Sequence, residues 1–397
     1  RRVLFRSSET NPLDQYPIMA IAQLRDRYSY SRSLSDETEL MEVIKSNKMK
    51  PFYQNLCEIF DWQIDNDLTS ELTNSNNKEL DSLQDALSKA KEAKGEEDVR
   101  VAIQNLALFY LRIGDYQESK KQLGELFQHT VALGQKIDVV FCQMRLAFFY
   151  NEYVTFNELL DQAQSLIKEG GDWERKNRLK VYEGLYLCVR KNFIAASQLF
   201  ISTLSTFTAT ELMDYEDFVY RTVLLSVLAL SRADFGSKID RAIEVRASSE
   251  SVHKLLNLYH LNYSGYFDAL SEMEQRMKSD IWFSRNLSYL IKELRVKAYK
   301  QFIEPYEALQ ISVMAQAFKV TSEFIESEIR RFIACNKLNA KIDRANRTIH
   351  TNPPDSRATK MREALKGGEI LISRLQKLGR ILRSEERRVG KECRSRW

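Results

Sequence analysis

The chain has 397 residues, 44% of them apolar, enough for two or three domains of about 150 residues each. Its 13 glycines and 6 prolines are sparse, and none of the prolines falls between residues 52 and 304; this argues for long helices and against a β-sandwich, a barrel or a disordered linker. The net charge of +4 lies in the ends, since residues 1–8 and 383–397 carry +3 each and leave −2 for residues 9–382, so the excess of base points to no nucleic-acid surface on the body.

Both ends resemble translated adapter sequence, and residues 1–8 and 383–397 are expected to be non-native tails. Five cysteines stand singly with no CxxC pair, which excludes a disulfide framework and a zinc ribbon. The longest apolar-rich run, Thr222 to Leu230, is nine residues, against about 20 for a membrane span. With no signal-peptide stretch at the start, no membrane partner is expected, and cytoplasm and nucleus are the default setting.

Residues 9–95 read as N-terminal helices. IMAIAQLRDRY is the first, and Ser35, followed by Asp36 and Glu37, starts a second over ETELMEVIKSNKM. Pro51 punctuates. The chain then enters a long, mostly solvated helix on which Leu80, Leu83 and Leu87 share a face, ending near Gly95.

Residues 96–300 contain an imperfect repeat. NLALFYLRIGDY (105–116), RLAFFYNEYVTF (145–156) and YEGLYLCVRKNF (182–193) align on their aromatics, with Tyr116, Phe156 and Phe193 spaced 40 and 37 residues apart. Each is followed by a second amphipathic segment: QESKKQLGELF, NELLDQAQSLI and IAASQLF. A helix, a tight turn and a second helix cannot bury an apolar face alone. Such units stack, here into a right-handed solenoid like tetratricopeptide (TPR) arrays. The aromatic stripe reads as packing between repeats, not as a cofactor site.

Helical pairs continue to Pro305, and residues 301–354 then read as a winged helix. EALQISVMAQAF (307–318) is one helix; Thr321 and Ser322 cap a second, whose apolar face is Phe324, Ile325, Ile329, Phe332 and Ile333. After Leu338 the period drops to two, and RTIHT (347–351) completes a two-stranded wing. Within residues 355–382 a last helix, Gly368 to Leu382, places Leu371, Leu375, Leu378 and Leu382 on one seam. The fold class predicted is all-α: a TPR-like helical solenoid, then a winged helix, then a C-terminal helix.

A helical-repeat array running into a winged helix resembles the PCI-domain subunits of the proteasome lid, the COP9 signalosome and a translation initiation factor complex. Three stretches, IKEGGDWERKNRLKVYEGLY (167–186), STFTATELMDYEDFV (205–219) and IRRFIACNKLNAKIDRANRTIHTNPPDS (329–356), are similar to signature stretches of a lid subunit. The similarity runs from about Ala20 to Leu382, and only Asp234 to Glu250 fits loosely. The resemblance implies that the last helical pairs, from about residue 187, belong to the PCI module. It also implies a non-catalytic scaffold without cofactors, whose partners are the other PCI-domain subunits of the lid and the whole regulatory particle.

On that reading the contacts run through the winged-helix edge (Ile342, Arg347, Ile349, Thr351) and the seam of the C-terminal helix. A COP9 signalosome scaffold is the alternative. A nucleic-acid-binding winged helix comes third, because Glu323, Glu326 and Glu328 offset Arg330, Arg331 and Lys337 on the second helix, although Lys341, Arg344 and Arg347 make the wing basic.

The residues offer little chemistry. His129, His253, His260 and His350 form no HExxH or other metal-ligand spacing. Asp214, Glu216 and Asp217 fit a helix start better than a pair of catalytic carboxylates. No GxSxG or GxxxxGK[ST] occurs, and SLIK at 165–168 lacks the companions an SxxK site needs. No catalytic, cofactor-binding or metal-binding residue is assigned.

Overall fold

A computed structural model describes residues 11–93, 95–259, 263–351 and 356–394; the side chains of 257–259, 356, 358, 359 and 382–394 lie outside the described set. The chain divides into two compact units, the first ending at Arg295 and the second opening at Val296. Helix dominates, and the described strands are three short ones in the second unit. This is the expected helical solenoid plus winged helix.

The first unit opens with a single 3-10 turn, Pro12–Asp14, then α1 (Met19–Ser31), α2 (Leu34–Asn47) and α3 (Lys50–Phe60). Ser33, not Ser35, starts α2: its hydroxyl accepts the Asp36 N–H at 3.2 Å, with Asp36 and Glu37 in the first turn. Pro51 occupies the first turn of α3, where its missing N–H would be unpaired anyway. The long helix α4 (Asn66–Ala93) buries Leu68 and Leu72 and leaves Leu80, Leu83 and Leu87 half-buried.

Three helical hairpins follow: α5 (Glu96–Ile113) with α6 (Tyr116–His129), α7 (Leu133–Phe149) with α8 (Tyr153–Gly170), and α9 (Trp173–Val189) with α10 (Phe193–Thr203). Each packs on the next, which is how a unit with one apolar face buries it. Every hairpin turns through one residue of positive φ: Gly114 (74°), Asn151 (60°) and Lys191 (63°). Asp115 and Asn192 then cap α6 and α10, accepting the N–H groups of Glu118 and Ala195.

The repeat aromatics do pack between hairpins. Phe156 stacks on Tyr186 with centroids 5.0 Å apart, and Phe141 on Tyr182 at 5.1 Å, while Phe148 and Phe156 stack at 4.1 Å within one hairpin. Helices α9 and α10 approach so closely at Gly184 that a Cβ there would stand 2.3 Å from the Phe200 ring.

The unit continues through α11 (Tyr215–Ala229), α12 (Arg232–Lys238), α13 (Ile243–Arg246), α14 (Glu250–Tyr259), α15 (Tyr266–Lys278) and α16 (Leu287–Ile303), the last crossing into the second unit. Asp214 is the N-cap of α11, with Glu216 and Asp217 in its first turn, as expected of acids at a helix start. The loosely matching stretch 234–250 forms the short helices α12 and α13. His253 is exposed, and His260 lies outside the described residues.

The second unit runs β1 (Ala308–Gln310), α17 (Ile311–Phe318), α18 (Ser322–Ala334), β2 (Ala340–Asp343), β3 (Thr348–Thr351) and α19 (Ser356–Arg394). The wing expected to have two strands has three, in the order β1-β3-β2, all antiparallel. The additional strand, Ala308–Gln310, was expected to begin a helix; pairing Leu309 with Ile349 buries both side chains, which a helix there could not do.

Thr321 caps α18 by accepting the Phe324 N–H. Ile325, Ile329 and Phe332 face the core, while Phe324 is exposed and Ile333 half-buried. Buried Glu328 accepts the Tyr299 hydroxyl at 2.9 Å. The last helix starts twelve residues earlier than its leucine seam implied and extends to Arg394.

Candidate assembly interface

Helix α19 carries the larger of two surfaces suited to a partner. Leu371, Leu375 and Leu378 are 60%, 58% and 55% exposed; Leu382, the fourth seam position, lies outside the described side chains. Met361, Leu365 and Ile372 are exposed as well. At 100° per residue these six fall in a sector about 140° wide, broader than a two-stranded coiled-coil seam and suited to a helix bundle. Gly367, Gly368 and Gly379 would tolerate a Cβ freely, so they serve no packing within the chain.

The sheet supplies the second surface, at a different place from the one expected. Thr351 donates its N–H to the Glu307 carbonyl, and Ile311 donates to the Arg347 carbonyl, both at 3.0 Å. In an antiparallel ladder the N–H and C=O of a residue point the same way and alternate along the strand. Arg347, Ile349 and Thr351 therefore bond toward β1, and Thr348 and His350 toward β2.

The expectation that Arg347, Ile349 and Thr351 line a free edge is corrected. β3 is the central strand, and Ile349, 0% exposed, sits between Leu309 and Ile342. Arg347 takes positive φ, 51°, in the turn, and the Thr351 hydroxyl bonds the Tyr306 carbonyl at 2.6 Å. Ile342 does lie on an outer strand. Lys341 and Asp343 pair inward with His350 and Thr348, so Ala340 and Ile342 turn their N–H and C=O groups away from the sheet. Such groups accept another strand.

The turn after β2 is tightly made. The Asn346 side chain, then the Ala345 N–H, bond the Asp343 carboxylate and hold its pKa below the usual carboxylate range. Among the described residues no group of three or more His, Cys, Asp or Glu is placed to hold a metal, and no helix is long and apolar enough to cross a membrane.

Buried charge was missed by sequence reasoning. Arg221 and Asp280 form an ion pair with side chains 4% and 3% exposed. Arg145 and Arg178 converge on Asp14 and Glu211. A signal existed for two of these arginines in their place within an apolar run, FCQMRLAFF for Arg145 and DFVYRTVLL for Arg221, but Asp14 and Asp280 lie 131 and 59 residues away from them in sequence.

A family profile described as 26S proteasome subunit RPN7 matches residues 65–238, and a PCI domain profile matches 268–353. The chain is 37% identical over 350 residues to the 26S proteasome non-ATPase regulatory subunit 6 homolog of Arabidopsis thaliana, covering 87% of this chain and 90% of the relative. Its similarity to 26S proteasome non-ATPase regulatory subunit 6 of Dictyostelium discoideum is 34% over 376 residues, 93% of this chain and 98% of the relative. COP9 signalosome complex subunit 1 of Schizosaccharomyces pombe is more distant, 23% identical over 330 residues, 78% of this chain and 76% of that protein.

Proposed function

As the chain belongs to the family of the 26S proteasome non-ATPase regulatory subunit 6, the Rpn7 subunits, we propose that it is a non-catalytic structural subunit of the regulatory-particle lid. It joins other PCI-domain subunits through its C-terminal helix and its winged-helix edge, and so supports ubiquitin-dependent degradation without chemistry of its own. This reading places the chain in cytoplasm and nucleus.

The observation that carries the proposal is the apolar stripe of α19. Six large apolar side chains more than half exposed along one face leave a hydrophobic surface that a bundle of like helices would cover. The outward Ala340 and Ile342 backbone groups offer a strand-to-strand contact alongside it. A nucleic-acid reader is disfavoured by charge, because α18 carries Glu323, Glu326 and Glu328 against Arg330 and Arg331.

The test is affinity capture of the tagged full chain from a eukaryotic lysate, in moderate salt with nuclease, followed by mass spectrometry. Lid subunits are the expected co-purifying proteins. Signalosome subunits in their place, or a complex lost on nuclease treatment, overturn the proposal.

A further inference from the structure

The segment ahead of α1 lies on the repeats as a bound peptide would. Arg145, on α7, is fully buried, and its guanidinium is spent on that segment. It donates to the carbonyl oxygens of Leu13, Asp14 and Tyr16, the last two at 3.4 and 3.1 Å, and to Asp14 Oδ1 at 3.4 Å. Arg178, on α9, donates from Nη2 to the same Asp14 oxygen and to Glu211 Oε1, each at 2.8 Å. The Tyr182 hydroxyl completes the cluster, donating to that Glu211 oxygen at 3.0 Å.

Leu13 inserts beside Ile103, Ala107, Val139 and Cys142 of α5 and α7. One apolar anchor, one carboxylate anchor and three main-chain carbonyls read by a buried guanidinium make up a peptide-recognition pattern on a helical-repeat surface. The segment is not sealed in. Gln15 is exposed, the Asp14 side chain is 30% exposed, and a cleft of about 280 Å³ separates the segment from Thr210–Asp214.

We propose that the Arg145–Arg178 pair is a binding site for an acidic peptide with an apolar residue directly before its aspartate, and that residues 11–17 occupy it in cis as a displaceable strap. Without Asp14 two guanidinium groups share the single charge of Glu211, which leaves a net positive charge for an incoming carboxylate to offset. A tethered strap has an effective concentration on the order of millimolar, so a free peptide competes well only once the strap's own carboxylate is removed.

The probes are a labelled peptide of sequence NPLDQYP and its Asp14→Asn form, titrated against the full chain and its Asp14→Asn variant by fluorescence anisotropy. Hydrogen exchange of amides 13–16 is read in parallel. The variant should exchange those amides, and bind the acidic peptide, at least about tenfold faster and tighter than the wild type, with the Asn peptide weak on both. A strap as protected in the variant as in the wild type, or a released strap with no binding of acidic peptide, overturns the proposal. Should the variant fail to fold, the wild-type chain decides: acidic peptide at about 10 mM accelerates exchange of its own amides 13–16 and the Asn peptide does not, and equal exchange with both rejects the site.

Discussion

Asp280 holds two structures together with one carboxylate. Its Oδ2 accepts Nε and Nη2 of Arg221 at 3.0 and 2.5 Å, while Oδ1 accepts the N–H groups of Trp282 and Phe283. Arg221 also lies over the Trp282 ring, 5.3 Å from its centroid. Removing Asp280 leaves the buried Arg221 only the longer contact with Asp217, 3.9 Å away, so Asp280→Ala should cost about 3–5 kcal/mol in chemical denaturation. A loss below about 1 kcal/mol, the level of an exposed pair, would show that Asp217 or water takes the place of Asp280. Lys297 runs the other way: burial pushes its ammonium pKa down to about 8, against about 10.4 when unfolded. Between those values the unfolded chain binds more protons, so stability rises with pH there and the full cost is borne below about 8. Discounted for partial exposure, that cost is about 1–2 kcal/mol. Lys297→Met should raise the unfolding midpoint at pH 7 and lose its advantage by about pH 10.5; an equal gain at both pH values would assign the effect to packing. None of this was legible in the sequence, because a charged residue in an apolar run shows that a partner exists without showing where.

Helices were the legible elements. Their apolar period and the repeated aromatics of 105–193 anticipate the hairpins α5–α10, and Gly114 announces the first turn. Asn151 and Lys191 do not, since their left-handed conformation is imposed by the hairpin around them. Strand β1 was hidden for a different reason: three residues are too few to display a period, and their strand character comes from β3, forty residues on. That omission made β3 look like an edge, and it changes what a proline tests. Ile349→Pro removes a ladder donor from the central strand, so it should disrupt the sheet and lower the soluble yield. Ile342→Pro removes an N–H that points away from the sheet. It should leave the far-ultraviolet circular dichroism of the chain intact and weaken capture of a neighbouring subunit; full capture would remove the β2 edge from the interface.

The charge of the whole chain is nearly balanced, so its surface is distinguished by where apolar side chains remain exposed. On α19 the leucine seam was visible as a heptad pattern, but the wider stripe that includes Met361 and Leu365 was not, because the helix was expected to begin only at Gly368. Width matters to the mechanism: a narrow seam fits one partner helix, and a sector of about 140° can touch two. Burying a leucine fully contributes about 1.5–3 kcal/mol, and an aspartate in its place adds an unpaired charge to the same interface. Leu375→Asp and Leu378→Asp should each therefore abolish incorporation into the regulatory particle. The isolated chain should not notice, since both side chains are more than half exposed in it, and a surface substitution of that kind stays within about 0.5 kcal/mol. Thermal melting of the purified variants beside their recovery in affinity-captured particles separates the two effects. An unchanged melting midpoint with lost recovery places the stripe in the assembly; wild-type recovery of both variants rejects it, and a lowered midpoint shows that the stripe is covered by the chain itself.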